Sequence, residues 1–225
     1  MAGVRLTRRR SLLGLGGLFA AALGAGASKA TADGPAGVAS GRVKCVLTPE
    51  MTDGPYYISG EKLRHDIAEG KRGARLDLAL TVVDASTCRP IKGATVDIWH
   101  CDAGGTYSGF GAGAGSRTFL RGRQKTNTHG VAHFKTIYPG WYPGRTVHIH
   151  VKVHVGGNVV HTGQLFFSDA MTDAVYRKAP YSKRPNRSPR NAGDSIYVNG
   201  GKRSVLKVRK TRLSYRGAIT MGVTR

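Results

Sequence analysis

Acidic residues are scarce in this 225-residue sequence: 13 Asp and Glu stand against 35 Lys and Arg, for a formal net charge of +22. That imbalance directs attention to anionic partners. With only three cysteines, the chain can close at most one disulfide and leaves one thiol over. No apolar run reaches the ~20 residues needed to cross a bilayer, because the Gly/Ala/Leu stretch near the N-terminus is short and rich in glycine. Neither a long helical period nor an internal repeat is present, which excludes a helical bundle and a solenoid. The 40% hydrophobic content in turn excludes a wholly disordered chain, and the length suits one domain with terminal extensions.

Residues 1–30 read as a twin-arginine-type signal peptide. Arg8, Arg9 and Arg10 precede Ser11-Leu12-Leu13, an apolar stretch runs to about Ala27, and small-residue cleavage options follow at Ala25-Gly26-Ala27 and Ala30-Thr31-Ala32. Residues 31–44 read as a linker and 45–225 as the folded domain. Export to the periplasm or the extracellular space is expected, with no stable membrane insertion after cleavage. This route carries folded proteins, which suits a metal loaded inside the cell. The three cysteines, Cys45, Cys88 and Cys101, fit an oxidising compartment. Cys88 and Cys101 flank a strand and are not expected to pair, which leaves Cys45 as partner of one or the other. Beyond Met171, fourteen Lys and Arg face only Asp173 and Asp194. No motif of interleaved aromatic and basic residues accompanies them, so a solvated basic face is expected and no nucleic-acid partner.

The domain is expected to be all-β, a β-sandwich with long loops and an irregular basic C-terminal extension. Leu76, Leu78, Leu80 and Val82 alternate with Asp77, Ala79, Thr81 and Val83, which predicts a half-buried strand, and Ala94, Val96 and Ile98 predict its neighbour. Short strands are expected at 118–123, 130–137, 146–155 and 159–167, and further ones at 195–198, 205–208 and 213–223. Residues 178–190 read as an extended surface loop. The segment 126–130 reads as a turn with Gly130 at positive φ.

On a strand, His148 and His150 point to one face while Ile149, Val151 and Val153 point to the other. The turn Tyr138-Pro139-Gly140-Trp141-Tyr142-Pro143-Gly144-Arg145 would aim Tyr142 back toward the start of that strand, and Tyr107 follows an earlier strand. Two imidazoles and two phenolates on one ion point to ferric iron. Phenolate is a hard anionic donor, and two of them plus hydroxide would cancel three positive charges, whereas zinc more often takes imidazole, thiolate or carboxylate.

With these residues in place, the chain resembles the intradiol ring-cleavage dioxygenases, the family of catechol and protocatechuate dioxygenases, and in particular its exported single-domain members. The resemblance rests on Leu47 to Tyr57, Gly93 to Asp102 followed by Gly105 to Ser108, Tyr138 to Arg145, Val147 to His150 and Gly163 to Phe167, in order and spacing. It implies four ligands to non-haem Fe(III), at Tyr107, Tyr142, His148 and His150. It also implies an arginine at Arg145 that stabilises charge developing on the substrate, and a glutamine at Gln164 that orients the histidine strand or hydrogen-bonds near the iron.

By that resemblance the chain would cleave a catechol between its two hydroxyls with O2 to a muconate-type diacid, Tyr142 serving as base for one catechol proton. The expected partners are a catechol-type small molecule and O2; a homo-oligomer is also compatible with the resemblance. Two other readings remain open on the residues alone. His100 and Asp102 with a distant histidine have the pattern of a ferrous, 2-oxoglutarate-dependent oxygenase, and the basic charge would suit a non-catalytic binding module on the same sandwich. His133, His154 and His161 read as structural or exposed, Trp99 and Trp141 as core or pocket wall, and Tyr57 as a packing residue near the site.

Overall fold

The computed structural model describes residues 47–110 and 113–224; the expected export signal, the linker and Cys45 lie outside the described residues. Among the described residues, eight strands alternate with loops and short helices: β1 (Arg75–Asp84), β2 (Thr95–Trp99), β3 (Arg121–Lys125), β4 (Val131–Ile137), β5 (His148–Val155), β6 (Asn158–Phe166), α1 (Asp169–Tyr176), α2 (Ser195–Val198), β7 (Lys207–Lys210) and β8 (Tyr215–Val223). They form two four-stranded sheets, ordered β4-β1-β8-β7 and β3-β2-β5-β6. All neighbours are antiparallel except β1 and β8, which run parallel. The chain is thus an all-β sandwich, as its alternation predicts.

Leu76, Leu78, Leu80 and Val82 of β1 are buried against Val96 and Ile98 of β2 and Ile149, Val151 and Val153 of β5 in one core that draws on both sheets. Each such side chain, fully buried, contributes roughly 1.5–3 kcal/mol of transfer free energy. The opposite face of β5 is covered too: His148, His150 and Lys152 are all buried. Strand alternation alone is compatible with a solvated polar face there, but Met51 N bonds to Thr162 O at 2.9 Å and draws the 47–57 segment over the sheet. Among the described residues no helix is long and apolar enough to cross a membrane.

Several local expectations are corrected. Residues 195–198 form α2 instead of a strand, because Asp194 accepts from the Ile196 and Tyr197 N–H groups at 2.9 and 3.0 Å and caps a helical turn. An unanticipated helix, α1, starts where Ser168 caps Met171 N. The strand expected at 118–123 begins only at Arg121, since Leu120 takes φ 57° and breaks the extended backbone. The 178–190 segment wraps the surface as expected, but it is pinned there. Arg187 bridges Asp169 and Asp173 at 2.9 Å each, and Tyr181 is buried and donates to Tyr138 O at 2.6 Å. Part of the C-terminal basic charge is therefore structural. Gly130 does adopt positive φ, 72°, and a Cβ there would meet Val82 O at 2.6 Å. Cys88 is disulfide-bonded, while Cys101 is free and buried, so those two do not pair.

Candidate metal centre

One row across the outer face of the second sheet carries Arg121 of β3, Trp99 of β2, His150 of β5 and Gln164 of β6, each opposite the next in register. His148 lies one step along on the same face, opposite Phe166. Two loops bring the tyrosines to this row. Tyr107, Trp99 and Cys101 form a second buried cluster against Tyr56, Tyr57, Phe110 and Tyr142.

The four expected ligands converge. His148 Nδ1–H donates to Thr146 O at 2.6 Å, which leaves its Nε2 as the unprotonated nitrogen. That nitrogen lies 3.1 Å from His150 Nε2 and 3.2 Å from Tyr142 Oη. One lone pair cannot serve both neighbours, whereas a cation among the three atoms would. Tyr107 lies edge-on to both Tyr142 and His150, with ring centroids at 5.7 and 6.1 Å, and its buried hydroxyl has no well-formed hydrogen bond. An orphaned buried hydroxyl is costly without a partner, so the donor set fits a metal.

Burial governs the protonation of this cluster in the absence of a cation. It pushes the Tyr142 phenol up to about 12 against the nearby Arg145 guanidinium, and raises Tyr107 well above the ordinary tyrosine value. It also lowers His148 to about 3, with help from Arg145, and drives His150 well below the ordinary value, with help from His148. Neutral imidazoles are ready to ligate; the phenols need a cation to ionise.

Around these four, Trp99 stacks flat on His150 at 4.9 Å and 5°. Gly54 packs close to the same ring: it takes φ 68°, and a Cβ there would stand 3.2 Å from His150 Cε1. Arg145 donates from Nε to Asp194 at 2.9 Å and from its terminal nitrogen to Gln164 Oε1, while Gln164 Nε2 donates to Thr52 O at 2.9 Å. Gln164 is therefore tied to Arg145 and to the 47–57 segment, not to the histidine side chains.

The remaining sequence candidates are engaged elsewhere. His100 donates to Cys101 O at 2.8 Å and reaches Thr136 Oγ1 at 2.7 Å. Asp102 holds the N–H groups of Gly104 and Thr106 and pairs with Lys71 at 2.6 Å. Among the described residues no group of three or more His, Cys, Asp or Glu could hold a metal ion, so a metal here depends on the tyrosines. His161 is buried against Glu50, His154 is half-buried 3.3 Å from Asp97, and Tyr57 lies beneath the Lys152 ammonium, 3.6 Å from its ring centroid. Sequence reasoning missed Tyr56, Arg121 and Asp194. Of these only Asp194 carries a local signal, as an Asx cap directly before Ser195-Ile196.

A family model described as Dioxygenase matches residues 52–173. Among curated proteins, Catechol 1,2-dioxygenase 1 of Acinetobacter lwoffii is 31% identical over 100 residues, covering 42% of this chain and 32% of that protein. Chlorocatechol 1,2-dioxygenase of Rhodococcus opacus is 26% identical over 138 residues, 53% of each chain. The chain thus spans about a third to a half of the length of these curated relatives. Among solved structures, an intradiol ring-cleavage dioxygenase from Tetranychus urticae superposes with a TM-score of 0.77 at 39% identity, over 80% of this chain and 95% of that one. The dioxygenase domain of a dioxygenase carbohydrate-binding protein fusion from Streptomyces sp. SirexAA-E gives 0.62 at 29% identity, over 79% and 98%.

Proposed function

The chain belongs to the intradiol ring-cleavage dioxygenase family, and from that membership we propose that it is a non-haem Fe(III) dioxygenase that opens a catechol between its two hydroxyls, placing both atoms of O2 in a muconate-type diacid. The observation that carries this reading is the meeting of Tyr107, Tyr142, His148 and His150, with one imidazole lone pair facing two polar neighbours and one phenol left unpartnered. These four residues would hold the metal. Ferric iron there would supply a Lewis acid that binds a deprotonated catechol and makes its ring reactive toward O2.

The chain's own groups would do the rest. Tyr142 is the more exposed of the two phenols and takes a catechol hydroxyl proton at its Oη. Arg145, held on one side by Asp194 and on the other by Gln164, presents a fixed positive charge to the negative charge developing on the substrate. Trp99 covers one face of His150, and Gly54 leaves no room for a side chain beside its Cε1. The basic excess of the chain favours a ring bearing a carboxylate, which long-range attraction would bring to the site. Residues 1–30 are proposed to direct export by the twin-arginine route; N-terminal sequencing of the chain from the periplasm or medium tests this.

The direct experiment is a visible spectrum of the iron-loaded protein before and after anaerobic addition of protocatechuate. A tyrosinate-to-Fe(III) charge-transfer band that shifts with substrate and is weakened in Tyr107→Phe, which keeps the Tyr142 phenolate, is expected. A colourless protein after verified iron loading overturns the proposal.

A further inference from the structure

Arg121 is the largest charge buried beside the centre that the proposed chemistry does not use; its side chain is 2% exposed. Its guanidinium spends its donors on one wall of the site. Nε donates to Ser108 Oγ at 2.8 Å and one terminal nitrogen to Ser108 O at 2.6 Å; the other donates to Tyr56 O at 2.9 Å and Glu61 Oε1 at 3.1 Å. Ser108 directly follows Tyr107 in the chain. Tyr56 stacks on the Tyr107 ring at 4.2 Å and 16°. Arg121 thus grips Tyr107 twice, through the main chain of the next residue and through the ring lying on it. Its own backbone is fixed by β3, where it pairs with Trp99 in the row that continues to His150.

Burying a guanidinium is costly unless it is paired and fully hydrogen-bonded. Here Glu61, 5% exposed, balances the charge, and three oxygens from the 56–61 and 108 segments complete the fork. A packing role alone would be met by an apolar side chain. A planar fork instead ties two loops to one strand at fixed angles.

We propose that Arg121, with Glu61 as counter-ion, is a positioning residue that fixes the Tyr107 phenol against the histidine row so that it meets the metal pre-oriented. The inference rests on the ferric reading of the centre. It extends the site to a partner reached through the main chain, in the way outer groups tune metal ligands.

The test is a double-mutant cycle between Arg121→Lys and Tyr107→Phe in the iron-loaded full domain, read as the rate of Fe(III) release to a chelator and as the tyrosinate band. Lysine keeps the charge opposite Glu61 but loses the fork. Arg121→Lys alone is expected to release iron about ten-fold faster and to move the band, in line with what outer-shell changes do to metal sites. In the Tyr107→Phe background the same change should alter release by less than about two-fold, because the residue through which it acts is gone. An equal rise in both backgrounds, or no rise in either, overturns the inference and leaves the metal reading standing. A wild-type protein that takes up no iron and shows no band overturns the metal reading itself. If Arg121→Lys does not fold, Ser108→Ala replaces it in the same cycle, with a smaller rise expected that again depends on Tyr107; a rise independent of Tyr107 overturns the inference.

Discussion

Arg145 and Asp194, 49 residues apart, meet at 2.9 Å, and the same carboxylate oxygen also accepts the Thr146 N–H at 2.8 Å. The other oxygen caps α2. One buried acid from the C-terminal region therefore holds both the arginine beside the candidate metal centre and the backbone entering the histidine strand. Burial raises its pKa, but the N–H groups of Tyr197 and Thr146 and the Arg145 guanidinium outweigh that and hold it below the usual carboxylate value. Asp194→Ala should destabilise the domain by about 2–4 kcal/mol, somewhat less than a fully buried pair because Arg145 is partly exposed. Urea unfolding of the metal-free protein reads this directly, and an effect under 1 kcal/mol would refute the clamp.

Tyr107→Phe separates metal binding from folding. Its hydroxyl lacks a well-formed partner, so removing it should leave the metal-free melting temperature unchanged or raise it, since an unsatisfied buried polar group costs about 1–3 kcal/mol. The iron-loaded variant should hold its metal more weakly and show a weaker band, because only the Tyr142 phenolate remains. A large loss of stability in the metal-free variant would show that the hydroxyl is a structural bond.

His100 should make the metal-free protein acid-sensitive. Burial lowers its pKa to about 4, so the unfolded chain takes up this proton near pH 6.5 while the folded one does not. Stability is then intact above about pH 6.5 and falls as pH drops toward 4, by at most about 3 kcal/mol from this group. His100→Gln should flatten that part of the pH profile relative to wild type. Parallel profiles would rule out His100 as the source.

Arg145→Lys keeps a charge but cannot hold Asp194 and Gln164 at once. Its kcat is expected to fall by about 100-fold or more, the scale of losing one preorganised charge-stabilising donor, with the tyrosinate band retained. Loss of the band together with activity would instead make Arg145 a support of the metal ligands.

If basic charge steers substrate, kcat/KM for protocatechuate should fall as salt rises from 0.02 to about 0.5 M, where the Debye length shrinks below about 5 Å, while catechol is little affected. Equal salt dependence for the two rings would remove steering as a source of preference.

Much of the architecture is legible where side-chain alternation reports burial. Leu76 to Val82 mark β1 and Ala94 to Ile98 mark β2 because every second residue enters one core. The errors fall where a single local group decides. Ser195 to Val198 is rich in residues that suit strands, yet Asp194 caps it into a helical turn. Leu120 at positive φ delays β3, and Ser168 starts a helix only two turns long, too short to show a period.

The sequence by itself determined the proposed ligand set: a His-x-His strand puts two imidazoles on one face because strand side chains alternate, and two tyrosines stand in loops at the spacing of a known family. It also determined that the domain is built of strands, since a period of two puts alternate side chains into one core. Only the tertiary structure decided what surrounds those candidate ligands. Arg121 and Trp99 reach the His150 row through strand register, Tyr56 reaches Tyr107 by stacking, and Asp194 reaches Arg145 across 49 residues of chain. Each contact depends on where separate segments end up once the core has packed, and no local pattern of residues encodes that.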